Sequence, residues 1–324
     1  MGFRLPSAVS TRKFHGGYRA GAAFEDLADT ETADAMNCYY SSDGDIRQRP
    51  GSLRLRPTYL RSSGASSTSA EPITGHYQML ITGQTTTFDL IAAGDSVFLY
   101  TSADATAVVT GLSDDSQVFF VWAQTSDPRS AAAEITVMTN GVNPPVIWDG
   151  SGTAVYLSSV TSATQVPTAQ FILEHQGFLL TANEATTPSS GTDSADADAA
   201  VRVRGSSIGA DGEPNQHRLT ESVFVGGAGR GGEITAFRVL HDQIYVFKRR
   251  ATYRLGRDGQ FFTSVDQLEN EVGCIAPNSM VDVGLFLVFL SENGVVAFDG
   301  ANFEHISKNI DEALLRGANR SRLR

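Results

Sequence analysis

Lys248, Arg249 and Arg250 form the densest basic cluster in this 324-residue chain. Three cations on one strand edge could meet a phosphate. The same charges also suit a solvated turn or an ion pair to a neighbouring subunit. The aromatics beside them, Tyr245, Phe247 and Tyr253, read as inward strand positions rather than as base-stacking platforms. Asp193, Asp196 and Asp198 crowd carboxylates together, but without the glycine and distal glutamate of a calcium loop. The six histidines show no ligand spacing with one another or with Cys38 and Cys274. Residues 226–232 (GGAGRGG) suggest a phosphate loop, yet they lack the Gly-Lys-Ser/Thr ending and precede a strand, so they read as a flexible connector. Trp148-Asp149 lacks the Gly-His partner of a Trp-Asp repeat and counts as a strand-end turn. There is no Gly-x-Ser-x-Gly elbow, no sialidase-type Asp box, and nothing that marks a glycosidase carboxylate pair. No catalytic residue, cofactor or metal is assigned, and the chain is read as a non-enzyme.

The elements that would position such residues are clearest at 234–306, where two similar units follow each other about 42 residues apart. Each runs strand, tight turn, strand, turn, short strand, turn. Asp258-Gly259, Asn293-Gly294 and Asp299-Gly300 supply the positive backbone dihedrals that tight hairpins need. The spacing matches a four-stranded propeller blade. Further strands read at 76–82, 87–92, 96–101, 106–110 and 117–123, with another unit at 134–157 and a hairpin at 169–182. Turns near 94, 141, 176, 242 and 284 set quasi-regular intervals. The longest interval holds 184–217, rich in Ser, Thr, Asp, Gly and Ala, which is expected as an exposed, mobile insertion.

The ends look different. Residues 24–37 suggest a helical turn or two with Thr30 as N-cap, followed by a strand–turn–strand that stops at Pro50-Gly51. Residues 61–72 read as a loop. Residues 307–324 begin as a helix and end in Arg-rich polar sequence. The fold expected is all-β and β-propeller-like, with an irregular N-terminal segment and a short C-terminal helix. Residues 1–60 form an N-terminal arm and blade-closing segment, 61–306 the propeller-like domain with its insertion, and 307–324 the C-terminal helix and basic tail.

Two cysteines imply no disulfide framework, and they read as lone buried thiols. No apolar run approaches the roughly 18 residues of a membrane span, so no membrane insertion is expected. The N-terminus lacks a signal-peptide core, which points to synthesis and assembly in a cytosol. The net charge of −11 is uneven. Residues 101–200 carry Arg129 as their single basic residue, while Arg12, Lys13, Arg47, Arg49 and the C-terminal arginines make the ends basic. An acidic middle disfavours tight DNA binding, and basic ends suit docking onto acidic neighbours.

One ordered set of residues resembles a known family. Residues 29–37 (DTETADAMN), Asp43-Gly44 and 47–51 (RQRPG) precede the β-units, and 242–255 (DQIYVFKRRATYRL) follows with Val272-Gly273-Cys274, Asn278-Ser279 and Asp299-Gly300. Over 24–56 and 234–310 this is similar to the neck and tail proteins of tailed bacteriophages, of the nozzle, hub or packaged-DNA-stabilisation type. Residues 202–216 lack the tryptophan expected of that group, and the chain stops soon after 310, where relatives continue. The resemblance implies a structural virion protein that forms a ring, a hexamer, below the portal and adaptor. Such a ring continues the DNA channel and helps retain and release the genome. It implies contacts with portal, adaptor and other tail proteins, and transient non-specific contact with double-stranded DNA. On that reading Arg12, Lys13, Arg47, Arg49, Lys248, Arg249 and Arg250 are interface candidates, and Asp193, Asp196 and Asp198 are channel-lining candidates. Each phosphate contact would slow passage, so an acidic lining suits a DNA conduit. The alternative is a receptor- or carbohydrate-binding propeller of a phage tail using 184–217. A glycan-active propeller enzyme is a third possibility. Only Trp122 and Trp148 could serve as sugar platforms.

Overall fold

A computed structural model describes four short N-terminal strands and residues 72–80, 87–100, 105–114, 116–124, 134–157, 168–185, 198–209, 214–227, 231–269 and 271–308. The N-terminal strands are β1 (Gly17–Tyr18), β2 (Glu31–Thr32), β3 (Cys38–Tyr40) and β4 (Ile46–Gln48). The first blade holds β5 (Ile73–Leu80), β6 (Thr87–Ala93), β7 (Ser96–Tyr100) and β8 (Ala105–Val109). The second holds β9 (Phe119–Gln124), β10 (Glu134–Thr139), β11 (Val146–Trp148) and β12 (Val155–Tyr156). The third holds β13 (Ala169–His175), β14 (Phe178–Glu184), β15 (Arg202–Ile208) and β16 (Pro214–Phe224). The fourth holds β17 (Ile234–Leu240), β18 (Gln243–Lys248), β19 (Thr252–Asp258) and β20 (Phe261–Glu269). The fifth holds β21 (Val281–Asp282), β22 (Leu287–Ser291), β23 (Gly294–Phe298) and β24 (Phe303–His305). Each blade is an antiparallel meander in chain order, and together they form a five-bladed β-propeller.

The first strand of each blade is innermost. β5 packs on β9, β9 on β13 and β13 on β17. Residues from all five blades, including Gly75, Phe119, Ile172, Arg238 and Asn278, converge on one axial cavity. Strands covered on both faces by neighbouring blades lose the alternation of a half-exposed sheet. All six residues of β10 are buried, and in β18 only Gln243 is exposed. Three apolar clusters fill the spaces between blades. One spans the second to fourth blades around Ile135, Leu180 and Val246. One joins the first and second around Leu90 and Trp148. One joins the fourth and fifth around Phe247 and Phe298.

The five turns read from the sequence fall one in each blade. Their uneven spacing has a simple cause. Those near 94 and 141 link second and third strands, whereas those near 176, 242 and 284 link first and second strands. The β17–β18 turn is made by His241 and Asp242, both at positive φ without being glycine. Ties to the third blade offset the strain: Asp242 Oδ1 lies 3.0 Å from His175 Nε2, and Gln176 Nε2 donates to Asp242 Oδ2 at 3.0 Å.

Two expectations need correction. The stretch 184–217 is not one exposed loop, because β15 and the start of β16 lie inside it, with Val203, Gly205, Ser206 and Ser207 buried. Ser and Gly there are packing residues rather than loop residues: a Cβ on Gly205 would sit 3.0 Å from Leu180 Cδ2. The helix expected in 24–37 is interrupted at Glu31–Thr32, which pairs in parallel with β1. The β-branched Thr30 and Thr32 favour extended backbone. The strand–turn–strand expected at 38–49 is present as the antiparallel β3–β4 pair. The C-terminal helix expected in 307–324 lies outside the described residues from 309 onward, as does the rest of the N-terminal arm.

Candidate functional site

Antiparallel meanders fix which loops share a face. Every innermost strand starts on the upper face, which also carries the blade-to-blade connectors and the second-to-third-strand turns. A bowl of about 440 Å³ opens there. Gln117 and Gln170 reach it from the starts of inner strands, Asn183 from β14, and Gly231 to Thr235 from the entry to the fourth blade. Ile275 and Pro277 come from the entry to the fifth blade, and Arg249 and Glu292 from turns. The same strand starts continue downward into the axial cavity of about 380 Å³, where Arg238 lies. Burial lowers the pKa of the Arg238 guanidinium from its usual value, and it donates to the Phe237 carbonyl at 2.9 Å.

The basic cluster divides at this rim. Lys248 does not project from a strand edge: it is 0% exposed. As the last residue of β18 it points inward. Its Nζ donates to the Gly226 and Gly227 carbonyls at 3.2 and 3.3 Å and lies 5.6 Å from the centre of the Tyr253 ring. The glycine-rich connector is thus tied down by this lysine at its start. Arg249 and Arg250 are exposed, and both grip Glu292, Arg250 Nε at 2.5 Å and Arg249 Nε more closely. Burial alone would raise the Glu292 carboxyl, but the hydrogen bonds and charges of the two arginines outweigh it and hold it below its usual range.

Burial lowers the Lys248 ammonium from 10.5 to about 8, with the Asp198 charge partly opposing. Between those values the unfolded chain keeps a proton that the folded chain has shed. Stability therefore rises with pH across that window. Relative to Lys248→Met, the wild type is expected to gain at most about 3 kcal/mol from pH 8 to 10.5. Both proteins keep Cys274, whose thiol burial pushes up to about 11 and which acts in the opposite direction, so their difference isolates Lys248. Urea midpoints compared at several pH values test this, and a pH-independent difference would rule it out.

A second ionic group sits beside the insertion. Glu184, buried in the third blade, accepts from Arg204 Nε at 2.7 Å, Arg204 Nη2 at 3.1 Å and Arg202 Nη1 at 3.1 Å. The arginine side chains are 14% and 13% exposed. Removing the shared carboxylate leaves two poorly hydrated cations side by side. Glu184→Ala is expected to cost about 3 kcal/mol by denaturant titration, with Glu184→Gln milder because its one carbonyl oxygen can still accept from Arg202 Nη1 and Arg204 Nη2. Equal, small losses would sink the assignment.

The other candidates are dispersed. Asp198 is exposed and precedes the short 3₁₀ turn Ala199–Val201, and its charge acts on Lys248. Arg47 lies on β4 opposite Tyr39. Arg12, Lys13, Arg49, Asp193 and Asp196 lie outside the described residues. The bowl's Gln117, Gln170, Asn183 and Glu233 were not singled out from the sequence. Lone amides carry no spacing signal, and only the fold brings them together. Trp148, buried, donates Nε1 to the Gly152 carbonyl at 3.2 Å, and Asp149 Oδ1 accepts from Ser151 N at 3.0 Å, so the pair is a strand-end turn. Among the described residues no group of three or more His, Cys, Asp or Glu could hold a metal ion. No helix among them is long and apolar enough to cross a membrane.

The lower face is different in character. Exposed apolar side chains come from four blades: Leu80 from the first, Ile208 from the third, Phe261 from the fourth, and Val283, Leu285 and Phe286 from the fifth. The β21–β22 turn that presents the last three is closed by Val283 N donating to the Phe286 carbonyl at 3.0 Å.

No protein-family model matches the chain, and no curated protein does. Among solved structures, BBS1N in complex with ARL6DN aligns with a TM-score of 0.40 at 10% identity, over 72% of this chain and 66% of that one. The extracellular domain of a hybrid two-component system from B. thetaiotaomicron gives 0.36 at 11% identity, over 78% and 35%. Luciferin-regenerating enzyme gives 0.34 at 6% identity, over 73% and 75%. The chain thus spans just under two thirds of the first of these and about a third of the second. Similarities this distant assign no activity, substrate or partner.

Proposed function

We propose that the chain is a structural virion protein of a tailed phage. It forms a ring, a nozzle or hub below the portal and adaptor, that continues the DNA channel and helps hold and release the genome. The observation that carries this reading is the lower face, where four of the five blades expose large apolar side chains. Large apolar side chains exposed around one face of a folded protein suit a surface made to be covered. The sequence resemblance over 24–56 and 234–310 says by what: copies of this chain and the neighbouring tail proteins. The axial cavity of about 380 Å³ is far too small for a duplex. DNA would pass through the middle of a ring of protomers, past surfaces of an acidic chain that hold phosphate weakly. Arg249 and Arg250 lie exposed on the upper rim, where a neighbour's acid would have to share them with Glu292. The protein would be assembled in the host cytoplasm and reside in the virion, with no catalytic role.

The receptor- or carbohydrate-binding alternative through 184–217 gains no specific support, because much of that stretch is a blade and Trp148 is buried. Replacing Leu285 and Phe286 together by Asp is expected to abolish rings seen by negative-stain microscopy, with the melting temperature little changed. Particles made with that double variant should lose packaged DNA. Intact rings and full, stable heads would refute the assignment.

A further inference from the structure

We infer that the upper-face bowl binds a neutral, hydroxyl-rich ligand of about disaccharide size. Its volume of about 440 Å³ lies in the range of small-molecule sites, roughly 300–1,000 Å³. Two of its amides stand opposite each other. Ala169 pairs with Glu184 and Phe171 with Ala182, which brackets Gln170 and Asn183 across β13 and β14. Asn183 breaks the ladder there: its φ is 58°, inside a strand, without being glycine. Strain held within a strand calls for a use. Asn183 Nδ2 is pinned to the Ile234 carbonyl at 2.8 Å, so its Oδ1 is the end left for a ligand. Gln117, on the same wall, has an Oε1 sealed from solvent with no hydrogen-bond partner among the described residues. Rotating that amide would bring the atom to an incoming O–H.

The chemistry of the wall selects the ligand class. Amides offer donor and acceptor together, which is what a hydroxyl presents in return. The floor is apolar, with Phe171 and Pro277, and suits the C–H face of a sugar ring. Charge argues against an anion. Arg249 is already held by Glu292, and the exposed Glu233 carboxylate at the rim repels phosphate. Shape argues against a peptide, since the walls are strand starts and turns with no free strand edge along which a backbone could pair. The site is separate from the lower face, so it stands or falls independently of ring assembly.

Saturation-transfer NMR with maltose, cellobiose and trehalose tests it on the full chain. At least one disaccharide is expected to receive saturation from wild-type protein, and Gln170→Ala to weaken binding about tenfold or more. Asn183→Gly, which keeps the backbone conformation while removing the amide, should do the same without unfolding. Gln176→Ala, on the lower face, should bind as wild type. Absence of transfer to all three sugars would overturn the inference, as would equal binding by Gln170→Ala and Asn183→Gly, or competition by a neutral peptide alone.

Discussion

Gly273→Ala is expected to be the most damaging small substitution in the chain, with a loss above about 4 kcal/mol or no cooperative unfolding at all. Gly273 stands at the entry to the fifth blade, where the chain passes under the β18–β19 turn. A Cβ there would lie 2.0 Å from the Lys248 carbonyl oxygen, 2.8 Å from Arg249 C and 2.9 Å from Ala251 N. All three are backbone atoms, so no rotamer change can make room. Overpacking that side chains absorb costs about 1–3 kcal/mol, whereas this one must move a turn. That turn is fastened from both sides. Cys274 N donates to the same Lys248 carbonyl at 3.0 Å, and Thr252 Oγ1 donates to the Val272 carbonyl at 2.9 Å. Shifting it would also disturb the buried Lys248 and the Arg249–Glu292 rim. Gly227→Ala is the matched control: a Cβ there meets nothing within 4 Å, and its effect should fall within about 0.5 kcal/mol. Circular dichroism during urea titration compares the two. A Gly273→Ala midpoint close to wild type would show that the close approach is not a constraint.

The contrast between those two glycines marks what a sequence can tell. Both lie in or beside stretches that read as connectors, and composition cannot tell a glycine that fills a crossing from one facing open space. The propeller itself was legible, because short strand-forming runs bounded by Asp-Gly and Asn-Gly turns are local signals. One turn per blade was visible even though the turns belong to different positions within the blades. β15 and β16 were hidden for a physical reason. Their Ser, Gly and Arg residues are stabilised by partners that no local pattern announces, such as Glu184 beneath Arg202 and Arg204, and Arg257 Nη2, which donates to the Ser206 carbonyl at 3.2 Å. Lys248 was misplaced for a related reason. A Lys-Arg-Arg run looks like surface, and only the fold shows that the carbonyls of Gly226 and Gly227 wait for the first of the three. The bowl was not legible at all, since its amides come from two blades and Gln117 meets Gln170 and Asn183 only when those blades pack.

Phe298→Ala should cost about 4 kcal/mol, within the range of about 3–5 measured when buried aromatic rings are truncated. The reason lies in the number of partners that one ring serves. Phe298 ends β23, fully buried, where it pairs in register with Leu287 on one side and Phe303 on the other. Its ring stacks on Phe303 at 4.4 Å and meets Tyr245 edge-on at 5.0 Å and Phe247 edge-on at 6.1 Å. Tyr245 and Phe247 belong to the fourth blade, so Phe298 is the bolt between the last two blades. Each aromatic pair adds about 0.5–1.5 kcal/mol beyond its buried area. The space left cannot collapse easily. Phe289 holds Phe247 from the far side at 5.0 Å, and the Tyr245 hydroxyl is anchored to the Gly300 carbonyl at 3.2 Å. Phe298→Leu, which keeps most of the volume, should cost about 1–1.5 kcal/mol. A propeller is stabilised junction by junction, so the damage should also be local. Amide exchange in Phe298→Ala should quicken in β22, β23 and β18 before it does in β10 or β14. Uniform exchange across all blades, or a loss below about 1 kcal/mol, would mean that the fourth and fifth blades do not depend on this ring.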